Sequence, residues 1–209
     1  MAAELFLIRH GETEGQSSIR YHGRTDVALS DLGRAQMRAV AAALASHDFT
    51  HVFASTMVRA TEGARLIAGE RTPIVQIEEF VELDFGIFEG LTADEIRERH
   101  PEEFERWNRE RMTAGYAYPG GESRAGFRAR VEKGLSRMLE LSISDSGDNR
   151  VMLVAHRGVI RNILRCLVQA EPVIDLASIH VLERAPHWRI RELDIIAHLD
   201  GIELGEAAR

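Results

Sequence analysis

"LFLIRHGET", residues 5–13, runs an unbroken apolar stretch into an arginine, a histidine and a glycine. Such a run offers no polar face to solvent, so it reads as a strand covered on both sides, the mark of a parallel sheet flanked by helices. The strand is placed at residues 4–9. The cation and the imidazole then fall at its carboxyl end, where an open α/β sheet keeps its ligand crevice. "RVMLVAH" at 150–156 repeats the design. His10 and His156 are therefore both expected on the crevice edge, each accompanied by arginine and followed by a glycine-containing turn.

The rest of the chain alternates strand and helix. Ser30 reads as the N-cap of a helix through "SDLGRAQMRAVAAALAS", whose apolar residues recur at helical spacing. "HVFAS" (51–55) is a strand. "TMVRATEGARLIAG" is a helix that begins near Ser55 or Thr56, holds Arg59 in its first turn and stops at Gly69. "IVQI" after Pro73 gives a third strand. Thr92 and Glu95 form a capping box for a short helix, and Pro101 opens another. The loop "AGYAYPGGES" leads to a long helix from about Ser123 to Leu141. "VIRNILRCLV" is the helix behind the second histidine, and "SIHVLER" and "HWRIREL" are closing strands. The expected fold is α/β, a doubly wound, mostly parallel sheet flanked by helices, in one domain over 1–209 with a small helical lid at about 92–122.

Composition sets outer bounds. The chain has 209 residues, 44% of them apolar and 28% charged, enough for a sizeable core. A formal charge of -7 argues against a broad nucleic-acid or anionic-membrane surface, so any anion site must be local. Cys166 stands alone, which rules out an internal disulfide, and its apolar sequence neighbours suggest a core thiol. "MAAELFLIRH" has neither a basic leader nor an apolar segment of signal length, which makes the cytoplasm the expected location.

These motifs resemble the histidine phosphatase superfamily, also called the phosphoglycerate mutase-like family, in its branch of small phosphatases. The likeness covers nearly the whole chain. "LIRHGET" is similar to the family signature, "YHGRTDVALSDLGRAQ" to the loop and helix after it, and "FASTMVRATEGA" to the segment with a second arginine. "VELDFGIFEG" resembles the segment that carries the acid, and "PGGES", "VAHRGVIRNIL" and "WRIRELDIIAHL" the later blocks. The resemblance implies that His10 is the nucleophile, that Arg9 and Arg59 bind phosphoryl oxygens, that Glu82 donates the proton and that His156 completes the pocket; the charge developing on the equatorial oxygens is then expected to be met by Arg9, Arg59 and protonated His156. Only the resemblance selects Glu82 from its neighbours Glu79, Asp84 and Glu89.

The chemistry agrees with the residue types. A phosphate monoester carries close to two negative charges, which repel a nucleophile until fixed donors meet them, and arginine grips two oxygens while staying charged. An imidazole attacks only through an unprotonated nitrogen, and two nearby guanidinium groups favour its neutral form. Thr13, Gln16, Arg20, Tyr21, His22 and Arg157 are candidate substrate contacts. Gln16 stands where the family commonly has asparagine, and Arg157 where it often has glycine. The scheme requires no metal and no cofactor. The lid stretch "RERHPEEFERWNRERM" nearly cancels its own charge, so it is expected to offer little attraction for a second phosphate, and Phe104 and Trp107 to pack it down. The activity implied is hydrolysis of a small phosphorylated metabolite through a phosphohistidine. A cofactor-dependent phosphoglycerate mutase and an inactive phosphate-binding module are the alternatives. The partner is a small phosphate ester, without nucleic acid or membrane, and a homodimer is an open option for assembly.

Overall fold

Strand β1 (Ala3–Arg9) runs between β4 (Asn149–Ala155), parallel to it, and β5 (Ile179–Arg184), antiparallel to it. The computed structural model describes residues 3–69, 72–113, 115–142 and 149–202. Met1 and Ala2 of the opening stretch and Ala114 of the loop before the long helix lie outside the described residues. β2 (His51–Ser55), β3 (Ile74–Ile77) and β6 (Trp188–Ile195) complete a six-stranded sheet of order β3-β2-β4-β1-β5-β6. All of its pairings are parallel except those of β5, so the mostly parallel α/β fold expected from the sequence is the one observed.

The period-two alternation of each strand divides the core into two layers. Leu5, Leu7, Phe53 and Leu153 face one side, where they meet Val131 and Met138 of α5 (Arg124–Ser142) and Ile160 and Ile163 of α6 (Arg157–Val168). Phe6, Ile8, Ala54 and Val154 face the other. There they meet Met37 and Val40 of α1 (Asp31–Ala43) and Ala60 and Ala64 of α2 (Val58–Ala68). Ser30 caps α1 by accepting the Gly33 N–H. Thr92 and Glu95 form the reciprocal capping box at α3 (Ala93–Arg99), which leads into α4 (Pro101–Glu110). These two helices sit in the region expected as a lid.

Two local expectations differ. α2 begins at Val58 after Met57 as N-cap, two or three residues later than read, and Arg59 is still in its first turn. Cys166 is exposed, not a core thiol. The apolar stripe of α6 centres on Ile163 and Leu167, and Cys166 lies about 90° round the helix from that centre, so apolar sequence neighbours did not mean an apolar environment.

Candidate active site

The register of the two central strands assembles the site. Arg9 pairs with Ala155, so the next residues, His10 and His156, leave neighbouring strands side by side. Their ring centroids are 5.2 Å apart at 64°, and both rings are buried. The residues after β1 turn sharply beneath α1, and only glycines permit it: a Cβ on Gly11 would lie 2.6 Å from the Gly33 carbonyl.

His10 Nδ1 lies 2.7 Å from the Gly11 carbonyl. A carbonyl only accepts, so the proton is on Nδ1 and Nε2 carries a free lone pair. Burial, then Arg59 and Arg9, hold His10 well below the ordinary histidine value, so the ring is neutral. His156 Nε2 is 2.9 Å from Ser55 Oγ, while its Nδ1 has no protein partner. Burial, Arg59, His10 and Arg9 push its pKa far down as well. Burial and these cations favour the uncharged ring over the protonated His156 expected from the sequence.

Arg9 donates to the Ile174 carbonyl at 3.0 Å, and its Nε has no partner. Burial and the nearby Arg157 lower its pKa to about 10. Arg59 is wholly buried and clamps a loop, donating to the carbonyls of Thr25 at 2.9 Å, His22 at 3.2 Å and Gly23 at 2.8 Å. Its Nε has no partner.

The four acids of the 79–89 segment have different employment. Glu79 is paired with Lys133 and Arg137, Asp84 accepts the Gly86 N–H, and Glu89 accepts the N–H groups of Gly23, Arg24, Thr25 and Phe85. Glu82 faces the cleft. Its oxygens accept the N–H groups of Leu83 and Gly158, each at 2.9 Å. Arg130 fixes this segment from behind through the carbonyls of Glu79 and Val81 and an ion pair with Glu122.

A cavity of about 250 Å³ opens over His10. Of the expected residues, Arg9, His10, Arg20, Tyr21, His22, Glu82 and Arg157 line it, whereas Arg59 and His156 lie behind its wall. Thr13 is buried and accepts the Ser17 N–H through its hydroxyl, and Gln16 is exposed at φ 58°, so neither lines the cavity. Arg20 is tied to Glu95 at 2.5 Å and to the Gly90 carbonyl at 2.7 Å, which fastens the loop to α3. Sequence reasoning passed over Ser17 and Ser18, which stand on the wall where Gln16 was expected, and over Ser55 and Gly158, which hold His156 and Glu82. The glycine in "HRG", inside the first turn of a helix, was the available signal for the last of these.

Among the described residues, no group of three or more His, Cys, Asp or Glu side chains is disposed to hold a metal ion, and no helix is long and apolar enough to cross a membrane.

Residues 5–193 match the model of the histidine phosphatase superfamily (branch 1). A bifunctional protein of Mycobacterium tuberculosis is 34% identical over 190 residues, covering 86% of this chain and 50% of that protein. The chain thus spans about half the length of the curated mycobacterial relatives it matches. The uncharacterized phosphatase PhoE of Bacillus subtilis is 26% identical over 93% of this chain and 96% of its own. Among solved structures, a putative alpha-ribazole-5'-P phosphatase of Escherichia coli superposes with a TM-score of 0.80 at 25% identity, covering 93% of this chain and 97% of that one. A mycobacterial glucosyl-3-phosphoglycerate phosphatase gives 0.77 at 28% identity, covering 94% and 100%.

Proposed function

Because the chain belongs to the histidine phosphatase superfamily, a phosphatase-type enzyme family, we propose that it hydrolyses a small phosphorylated metabolite through a phosphohistidine on His10. The observation that carries this reading is the 2.7 Å contact of His10 Nδ1 with the Gly11 carbonyl, which leaves a neutral Nε2 free beside the cleft. A small substrate is supported by a cavity of about 250 Å³ and by neighbours named for metabolite esters.

Nε2 attacks phosphorus in line, and the bond from phosphorus to the ester oxygen breaks. Glu82, on the cleft wall, gives that oxygen its proton and then takes one from the water that opens the N–P bond, which frees phosphate and restores neutral His10. Arg9 and Arg157 supply cationic charge at the wall, and Arg59, buried behind it, adds to the positive field around His10. Ser55 Oγ accepts the Met57 N–H at 3.3 Å, and we assign its own hydroxyl proton to His156 Nε2. His156 then presents an Nδ1–H donor to a phosphoryl oxygen without carrying a charge. Nothing in this cycle calls on a metal or cofactor.

Turnover of p-nitrophenyl phosphate, with and without chelator, tests the proposal. Hydrolysis insensitive to chelator, abolished in His10→Ala together with an acid-labile, base-stable phosphoryl label, is the expected result. No turnover between acid and neutral pH, or an active alanine variant, overturns it.

A further inference from the structure

Beside the cavity over His10 lies a larger one of about 460 Å³, and the two share Tyr21, Phe85, Glu82 and Arg157 as common wall. Arg111, Arg124, Arg128, Arg157, Arg161 and Arg165 line the larger chamber, against only Glu82 and Glu171. The chain as a whole carries a net charge of -7, so this cluster is a local reversal of sign. The expectation that the lid offers little to a second phosphate overlooked where its side chains go, since Arg111 of that stretch lines the chamber. Most of the charge comes from α5 and α6, which pack against each other beneath it.

The arginines are arranged as ladders. Residues 157, 161 and 165 are four apart on α6 and fall within about 80° of arc, spanning about 12 Å, and 124 and 128 repeat the spacing on α5. Like charges at this spacing cost a helix stability rather than supporting it. Acids relieve them only in part: among the described residues, Arg124, Arg128, Arg157 and Arg161 make no ion pair, and only Arg165 reaches a carboxylate of the chamber, Glu171 at 3.6 Å. Arg161 is half-buried with its Nε unpartnered, and its pKa is lowered by burial and then by Arg157, with Arg124 adding to the effect against the opposing pull of Glu171 and Glu82. A solvated helix face would turn such side chains outward; these turn into a concavity next to Glu82.

We propose that this chamber is a subsite for a second phosphate-type anion carried by the leaving alcohol, so that the preferred substrate is a phosphomonoester with another phosphate group beyond its scissile one. The inference rests on the phosphatase reading and adds the substrate class. A single carboxylate would engage one guanidinium fork, whereas a phosphate group with its several oxygens accepts from two or three at once. Tyr21, Phe85 and Trp107, packed edge to face, give the spacer between the anions an apolar wall. Arg157, common to both cavities, stands between the two phosphates.

Phosphate release is measured from glucose 1,6-bisphosphate and adenosine 3',5'-bisphosphate, each against its own monophosphates, with p-nitrophenyl phosphate as the ester lacking a second anion. At least one bisphosphate is expected to exceed its monophosphates about tenfold in kcat/KM. Arg128→Gln and Arg161→Gln should each reduce that ratio about tenfold, through KM, as expected for loss of a charge-assisted contact. Equal efficiencies across both pairs, or a preference that neither variant reduces, overturn the subsite while turnover of p-nitrophenyl phosphate still upholds the phosphatase. If no ester is turned over, the phosphatase reading is what fails. Calorimetric binding of the same bisphosphates to His10→Ala then decides the subsite alone: binding about tenfold tighter than the monophosphates and weakened by Arg161→Gln supports it, and equal binding overturns it.

Discussion

Glu82 is held against the first turn of α6 by the Gly158 N–H, and the contact exists only because Gly158 has no side chain. A Cβ there would lie 2.4 Å from Glu82 Oε1 and 3.1 Å from the Phe127 ring. Gly158→Ala is therefore expected to displace the proposed proton donor without unfolding a helix that alanine favours. Loss of a positioned acid slows proton-dependent steps by about a hundredfold. Alkyl phosphates, whose leaving alkoxide needs the proton, should suffer that loss, and p-nitrophenyl phosphate much less. Equal slowing of both esters, with the melting temperature unchanged, would remove Glu82 from the role.

Arg59 and Arg9 share a charge but not a job, and conservative substitution should separate them. Arg59 is spent on three carbonyls of the 22–25 loop, Arg9 on one. A lysine cannot span three acceptors with one compact ammonium, so Arg59→Lys leaves buried carbonyls unmet at a cost of about 2–4 kcal/mol. Arg9→Lys should cost about 1 kcal/mol. Urea unfolding compares the two variants, and amide exchange at residues 22–25 should quicken only in Arg59→Lys. Equal destabilisation would mean that the clamp does not hold the loop.

What the sequence disclosed, and what it withheld, divides along the same line. Local rules placed the strands, the Ser30 cap and the Thr92 capping box, because each depends on a few adjacent residues. The meeting of His10 with His156 was legible from two repeated strand endings, and the pairing of Arg9 with Ala155 brings them together. Side-chain commitments were not legible. Nothing within "RATEG" says that Arg59 will be consumed by a loop more than thirty residues earlier. Nor does any one segment announce the basic chamber, since it arises only when α5, α6 and the lid are packed together. Ordinary composition hid it, because the chain is acidic in sum.

His180 should make the fold lose stability in mild acid. The ring is fully buried, its Nδ1 accepts the Asp194 N–H at 3.1 Å, and its Nε2 faces Ser178 Oγ at 3.1 Å. A second proton on Nδ1 would point at a donor. Burial lowers its pKa to about 4. Between the unfolded value of about 6.5 and that figure the unfolded chain binds a proton that the folded chain refuses, so stability falls with falling pH across this window. The full loss is about 3 kcal/mol. Chemical unfolding at pH 7.5, 5.5 and 4.5 should show it, and His180→Asn, which has no ring to protonate, should show a correspondingly smaller decline. A decline of the same size in the variant would assign the acid sensitivity to other groups.

His10 should stay neutral, and competent as a nucleophile, at pH values where a free imidazole is charged. Its surroundings lower its pKa first through burial, then through Arg59 and Arg9, and outweigh the opposing hydrogen bond to Gly11. An isolated histidine is half protonated near pH 6.5, so a nucleophile of ordinary pKa would lose about nine-tenths of its active form by pH 5.5. The acid limb of kcat/KM should instead follow the substrate, whose own second ionisation lies near pH 6. Two measurements separate the contributions. The Cε1–H resonance of His10, assigned by its disappearance in His10→Ala, should not move between pH 7.5 and 5.5, whereas the histidine resonances of the protein unfolded in urea titrate normally. Arg9→Gln removes one of the cations that oppose protonation, so it should raise the His10 pKa, while burial and Arg59 remain to hold it below the ordinary value and the acid limb of kcat/KM still follows the substrate. Were the resonance to titrate near 6.5 in the intact protein, the surroundings of His10 would not be holding the ring neutral.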